Sequence, residues 1–240
     1  MNIDDISEKI VEKVIFKPKT KEELQRVVDL WCKNRIEGEK KYGIIGTWNV
    51  SLITDMGNLF HNYSDFNDDI SNWDVSNVKD MGSMFWDAKS FNQDIGGWNV
   101  SNVINMENMF CATYFNQPLD NWDVSNVEDM SYMFYYAYSF NHPLNNWNVS
   151  NVKDMESMFN NAKSFNQSLN SWDVSNIADI GSMFSYACSF NQPLNNWNVS
   201  NVENMNDMFY DAKSFNQPLN SWDVSNVKNM SGMFNEAGSF

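Results

Sequence analysis

The sequence predicts an α/β repeat fold: a right-handed solenoid with one parallel strand and one short helix per 25-residue coil, closed at its start by helices. Three observations carry this. Tryptophan recurs at Trp48, Trp73, Trp98, Trp122, Trp147, Trp172, Trp197 and Trp222, a spacing of 25 residues with a single 24. A fixed period in this range marks units that bury their apolar faces only against their neighbours. Within each unit a short strand-like cadence is followed by apolar residues at helical intervals. Residues 1–47 stand outside the repeat, and residues 48–240 hold eight units, the last incomplete.

The strand comes first. In "LNNWNVS" (144–150), Leu144, Trp147 and Val149 give an L-x-x-L-x-L cadence, the leucine-rich-repeat-type pattern in which the W-x-V core points inward. The helix follows. Val152, Met155, Met158, Phe159 and Ala162 recur at the 3–4 spacing of one helical face. Ser150 and Asn151 stand where an N-cap belongs, and Asp154 lies three residues after Asn151, in the manner of a capping box. "SFNQPLN" then turns the chain back, with a Pro193-type residue ending the helix. In the third unit one residue is missing from "MFCATYFNQ", which predicts a loop between Phe110 and Phe115.

The methionines after Met1 occupy two repeat positions, as in Met155 and Met158. Thioethers so spaced could hold a soft metal. Leu59 and Ile180 replace Met at those positions, a change that core packing accepts and a metal site does not. The residue after each Trp faces outward and alternates: Asn49, Asp74, Asn99, Asp123, Asn148, Asp173, Asn198, Asp223. Alternation doubles the spacing between like charges on a polar strand face, and lets each Asn amide donate to a flanking carboxylate. Duplication of a two-unit block gives the same pattern.

At the start, Ile3, Ile6, Ile10 and Val14 share a helical face. "TKEELQRVVDLWCKNRI" opens on a Thr20–Glu23 capping box and presents Leu24, Val27, Val28 and Trp31 inward. These two helices are the predicted cap. Nothing like them follows "NSWDVS", so Trp222, Val224, Met230, Met233 and Phe234 are expected to form an uncovered edge, open to self-association.

Charge and composition exclude several functions. Residues 1–47 sum to +1 and residues 48–240 to -16, so phosphate backbones are repelled and no nucleic-acid partner is expected. The acidic start is no signal peptide, and no apolar run reaches membrane-spanning length. Three widely spaced cysteines, Cys32, Cys111 and Cys188, suit a reducing compartment, and the Asn-Val-Ser sequons at Asn49, Asn99, Asn148 and Asn198 argue against a glycosylating one.

Chemistry-bearing constellations are sparse. His61 and His142 lie three units apart and read as exposed spacers, so neither a catalytic triad nor a zinc cluster can be built on them. Asp65, Asn67 and Asp69 stand at calcium-loop offsets, but Ile70 occupies the glycine position and the distal glutamate is missing. No enzyme activity, metal or cofactor is expected. The middle units do depart toward aromatics, at Trp86, Tyr114, Tyr132, Tyr135, Tyr136, Tyr138 and Tyr186. Aromatic residues concentrate at interface hot spots, which makes these a candidate partner surface, although tyrosines also fill crevices between coils.

The repeat, best seen in "NNWNVSNVKDMESMFNNAKSFNQSL" (145–169), resembles the BspA-like leucine-rich repeat family. The likeness is to its 25-residue subclass, a domain of unknown function in mycoplasma surface lipoproteins, and it covers roughly residues 48–240. Residues 16–60 look like the start of members carried by large DNA viruses of protists and algae. Bacterial members carry an export or lipoprotein signal, and this start carries none, which turns the expectation away from a cell-surface adhesin. The resemblance implies protein–protein interaction and brings no catalytic residues. The expected function is a non-catalytic interaction scaffold, virus-encoded, in the host cytoplasm or the virion; the alternative is a structural component of the particle that packs through its C-terminal end.

Overall fold

The backbone departs from the expected coil. The structure, a computed structural model, describes residues 15–240, so the expected helix built on Ile3, Ile6, Ile10 and Val14 lies outside the described residues. Among the described residues, α-helix is confined to α1 (Lys21–Lys33) and α2 (Arg35–Tyr42), followed by a 3-10 turn at Ile45–Thr47. No β-strand and no sheet is present among them. The leucine-rich-repeat-type strand at each Trp-x-Val and the helix after each Ser-Asn are both absent, and that fold assignment is overturned.

What replaces them is a succession of four-residue turns. In the fifth and sixth units, N–H groups donate three residues back at Met158 to Met155 (3.2 Å), Ala162 to Phe159 (3.0 Å), Phe165 to Ala162 (3.1 Å), Trp172 to Leu169 (3.0 Å) and Ile177 to Val174 (3.1 Å). The apolar residues occupy the first and fourth places of these turns and form the buried core. In M-x-x-M-F-x-x-A the third residue of each turn has positive φ, as at Ser157 (54°) and Asn161 (58°), the signature of a type II turn. A helix cannot contain such residues. Turns that begin and end on inward corners bury i, i+3, i+4 and i+7, the same set a helix would bury, which is why the spacing alone pointed to a helix.

Successive units are joined edge to edge. Along the M-x-x-M-F-x-x segment every second N–H donates to a carbonyl one unit ahead: Tyr132 to Glu156, Phe134 to Met158 and Tyr136 to Asn160, at 2.8–2.9 Å. The parallel contacts this produces are isolated bridges centred on the Asp or Asn before the first Met, running Asp55, Asp80, Asn105, Asp129, Asp154, Asp179, Asn204, Asn229. Pairing therefore sits on the segment expected to be helical, and the Trp-x-Val segment expected to be a strand contributes turns.

Side chains form ladders along the same direction. Phe60, Phe85, Phe110, Phe134, Phe159, Phe184, Phe209 and Phe234 stack with ring centroids 5.5–5.8 Å apart. A second column runs from Phe66 to Phe240 at 5.8–6.3 Å. Each inner Phe is fully buried, worth about 1.5–3 kcal/mol apiece from area alone. From Trp73 to Trp222 each repeat indole donates to the carbonyl at the Leu position one unit back, as Trp147 does to Leu119 at 2.9 Å. A buried indole N–H needs such a partner, and the repeat supplies one every time. The one-residue deletion falls at Thr113–Tyr114. Thr113 takes the buried Ala position, its hydroxyl donating to the Phe110 carbonyl at 2.8 Å, and Phe115 stays in its column.

The helix α1 lies against the first coil. Thr20 caps it, its hydroxyl accepting from the Glu23 N–H, while the Glu23 carboxylate accepts from the Lys19 N–H at 2.8 Å. Leu24, Val27, Val28 and Trp31 are buried. Polar contacts align it: Lys21 with Asp55, Gln25 Nε2 with the Leu59 carbonyl, Tyr63 hydroxyl with Asp29, and Trp31 Nε1 with Asp68.

Candidate interaction surface

The polar columns come first, because they frame the aromatic one. Asn49, Asp74, Asn99, Asp123, Asn148, Asp173, Asn198 and Asp223 each accept, through Oδ1, from the backbone N–H of the Ser two residues on, at 3.0–3.2 Å. These are Asx-turns. The bonds run along the chain; the expected Asn-to-Asp bonds between rungs are absent among the described residues. Hydrogen bonds from the Ser side chain and then the Ser backbone hold the carboxyls of Asp74, Asp123, Asp173 and Asp223 below the usual range. Asn and Asp serve this turn equally well.

Ser150 and Asn151 are likewise not a helix cap. The Asn151 amide donates to the Ser125 carbonyl one unit back at 2.7 Å, a contact repeated from Asn77 to Asn226. Leu52 holds that position in the first unit, which has no preceding coil to bond. In the turn column, Asn92, Asn116, Asn141, Asn166, Asn191 and Asn216 each donate a backbone N–H to the Oδ1 of the Asn one unit back. His142 replaces the neighbouring Gln there and contacts the Asn116 carbonyl through Nε2 at 3.2 Å. It is a rung of the ladder, not a spacer. Asn67 and Asp69 are also occupied, Asn67 in the turn column and Asp69 in an Asx-turn with Ser71. No group of three His, Cys, Asp or Glu side chains among the described residues is placed to share a metal ion.

The aromatic residues are gathered on the M-x-x-M-F-x-x face. Tyr114 lies 6.2 Å from Tyr138, Tyr138 lies 5.6 Å from Tyr136, Tyr136 lies 4.5 Å from Tyr135, and Tyr135 lies 5.5 Å from Tyr132. Five of the expected residues thus form one continuous strip. Tyr186 packs instead on Tyr210 at 5.2 Å, and Trp86 stacks on His61 at 4.8 Å with Cys111 on the rung between Trp86 and Tyr135. Trp86, Tyr114 and Tyr186 are exposed; the other four are half-buried. Tyr210 was missed at the sequence level and His61 was read there as a spacer, although both occupy the residue after the column Phe, as Trp86 and Tyr135 do.

Three of these tyrosines hold costly backbone. Tyr132, Tyr136 and Tyr186 have φ of 56–57°, at positions where other units place Asn, Asp, Ser or Gly, with Ala112 and Glu236 the exceptions. A bulky side chain there is an outlier.

A carboxylate column borders the strip. Tyr132 donates its hydroxyl to Glu156 Oε1 at 2.6 Å, and Glu156 follows Asp154 by two residues. Asp129, Asp154 and Asp179 stand on consecutive bridged rungs. Burial first, and then Asp129 and Asp179 on either side, push the Asp154 carboxyl above the usual range; burial and Asp129 do the same to Glu107. Where the column carries Asn, the conflict is relieved: Asn105 donates to Asp80 at 3.1 Å and Asn204 to Asp179 at 3.0 Å.

At the last described unit, Val224 and Met230 are each 41 % exposed, Trp222 and Phe234 half-buried and Met233 buried. In the preceding units the equivalents Val199 and Met205 are covered by the next coil. Between α1 and the first coil, Trp31, Arg35, Tyr63 and Asp68 line a cleft of about 350 Å³. Its polar groups are paired with one another, Arg35 with Asp68 and Trp31 Nε1 with Asp68.

Comparison with known proteins gives one family. A model described as a mycoplasma protein of unknown function, DUF285, matches twice, over residues 32–146 and 139–240. No curated protein and no solved structure matches.

Proposed function

The chain belongs to this family of mycoplasma-type repeat proteins, and from that premise we propose that it is a non-catalytic protein–protein interaction scaffold that works through its tyrosine strip. The observation carrying this is the strip itself: Tyr114, Tyr138, Tyr136, Tyr135 and Tyr132 in unbroken contact on the surface of a rigid stack. Tyrosine buries much area at small rotamer cost, and its hydroxyl tolerates exposure until a partner arrives. The backbone cost at Tyr132 and Tyr136 supports the same reading, since stability alone favours Asn or Gly there.

Affinity purification from the native host cell, with the double variant Tyr135→Ser/Tyr136→Asn beside the unaltered chain, tests it. Ser185 and Asn161 already occupy those columns, so the variant imports residues the fold accepts. The expected result is loss of the captured partner with an unchanged melting curve. Equal capture by both chains, or an equal loss of stability, would show that the tyrosines only fill crevices. The resemblance of residues 16–60 to virus-borne members extends the proposal to the cytoplasm of an infected cell or to the particle, which mass spectrometry of purified particles addresses. Self-association through Val224 and Met230 belongs to the same proposal, and light scattering across a dilution series reads it. No helix among the described residues is long and apolar enough to cross a membrane.

A further inference from the structure

We propose that the tyrosine strip and the carboxylate column beside it form a docking site for an arginine-rich segment of a partner protein; this rests on the interaction reading above. The two features are contiguous. The strip runs from Tyr114 to Tyr132, and the Tyr132 hydroxyl reaches Glu156, beside the rungs of Asp129, Asp154 and Asp179. A cation crossing this boundary meets aromatic faces on one side and carboxylates on the other.

The carboxylates await a counter-charge. Other acids of the stack find lysines, Glu128 with Lys153, Glu203 with Lys228 and Asp211 with Lys213. Among the described residues, Glu107, Asp129, Asp154, Glu156 and Asp179 form no ion pair with Lys or Arg. Burial and mutual repulsion raise the proton affinity of Asp154 and Glu107, so an arriving cation relieves a cost already present.

The strip also accepts a cation from its own chain. Lys163 Nζ sits 5.2 Å from the centroid of the Tyr138 ring. Such placement over an aromatic face is favourable, more so once desolvated. Arginine suits the site better than lysine, because its planar fork stacks on a ring while pairing a carboxylate with two parallel bonds. At longer range, the -16 charge of residues 48–240 attracts a basic segment and repels an acidic one.

Fluorescence anisotropy with the full chain at physiological ionic strength tests the proposal, using short labelled Arg/Gly, Lys/Gly and neutral Leu/Ser peptides as probes. The Arg/Gly probe should bind at a single saturable site and the Lys/Gly probe more weakly. Tyr135→Ser/Tyr136→Asn and, separately, Asp129→Asn/Asp154→Asn should each weaken the Arg/Gly probe about tenfold, roughly 1.4 kcal/mol. Asp123→Asn/Asp173→Asn removes the same charge from the Asx-turn column and should change affinity less than about twofold, as screening predicts for remote surface charge. Tyr114→Ser, at a side chain 54 % exposed, is the second strip variant should the double substitution disturb folding. Equal weakening by the Asx-turn pair would reduce the effect to net charge and overturn the proposal, as would indifference to the tyrosines. Tighter, tyrosine-dependent binding of the neutral probe would overturn the basic occupant while leaving the interaction reading intact. That reading fails separately, through tyrosine-independent capture in the affinity purification.

Discussion

A single residue decides between the turn and the helix. At Ala112 φ is +56°, and an L-residue there costs about 1–2 kcal/mol that glycine avoids. Ala112→Gly should therefore stabilise the protein by about 0.5–1 kcal/mol, after the extra chain entropy of glycine is deducted. A rise of about 2–4 °C in Tm per kcal/mol is expected for a chain of this size. Had M-x-x-M-F-x-x-A been helical, the same substitution would cost about 1 kcal/mol, so the sign of the shift in thermal unfolding distinguishes the two backbones. The information was present in the side chains. Asn58, Asn62, Asp87, Asn108, Asn161, Asp207, Asp211 and Gly232 all sit at positive φ, and each is a residue that favours that region or tolerates it. Read for apolar spacing, the segment says helix; read for its intervening residues, it says turn. Ala112 and Glu236 depart from that rule, as do Tyr132, Tyr136 and Tyr186, the bulkiest residues of the set.

At the scale of one column, repetition brings like beside like, which suits rings and amides and penalises carboxylates. Phe stacks on Phe and Asn bonds to Asn without conflict, but Asp129, Asp154 and Asp179 place three acids on consecutive rungs. The column already contains the remedy in Asn105 and Asn204, whose amides donate to the Asp one unit back while Oδ1 keeps the Asx-turn. Asp154→Asn should reproduce it, donating to Asp129 and still accepting from the Glu156 N–H. Neighbouring charges about 5 Å apart repel by about 1 kcal/mol even in a water-like medium, so the variant should gain on the order of 1 kcal/mol at neutral pH. Because the folded carboxyl of Asp154 titrates above its unfolded value, its penalty appears as pH rises past the unfolded value and is complete above the folded one. The gain should accordingly fade as pH falls through about 4 and vanish by about pH 3, where both states are protonated. Denaturant melts of the two chains at neutral and acidic pH measure this, and a gain that persists in acid would point to packing in place of charge. These columns were only partly legible beforehand. The alternation after each Trp was visible, but its role was not, since Asn and Asp make the same Asx-turn and the conflict lies in a different column.

For the whole molecule, the question is what holds the first coil when no coil precedes it. Trp48, Val50 and Phe60 are as buried as their counterparts further along, yet the neighbour that buries them is α1 with the chain that follows it. Phe16, Trp31 and Tyr42 surround the Trp48 ring edge-on or beside it, with Trp31 and Trp48 centroids 5.7 Å apart. The Trp48 indole donates to the Tyr42 carbonyl at 3.0 Å, the bond that later tryptophans make to the previous coil. The helix thus substitutes for a unit in both its apolar and its polar contacts. The Thr20–Glu23 signal and the apolar face of α1 were readable in the sequence, whereas α2 was not: its face is polar and Gly38 sits in its middle, tolerated because the backbone of Trp31 passes close by. Trp31→Ala should remove a buried ring and an Nε1–Asp68 bond together, a loss of about 3–5 kcal/mol. Deleting residues 1–47 goes further and leaves the first-coil face open to solvent, with the Trp48 N–H unpaired. Apolar faces of that size seek another surface, so the shortened chain should aggregate or lose its cooperative melt. Sedimentation and calorimetry of both variants check the pair. The point variant should melt cooperatively at a lower temperature while remaining monodisperse, and a deletion product with the same behaviour as the unaltered chain would mean that the first coil needs no neighbour on that side.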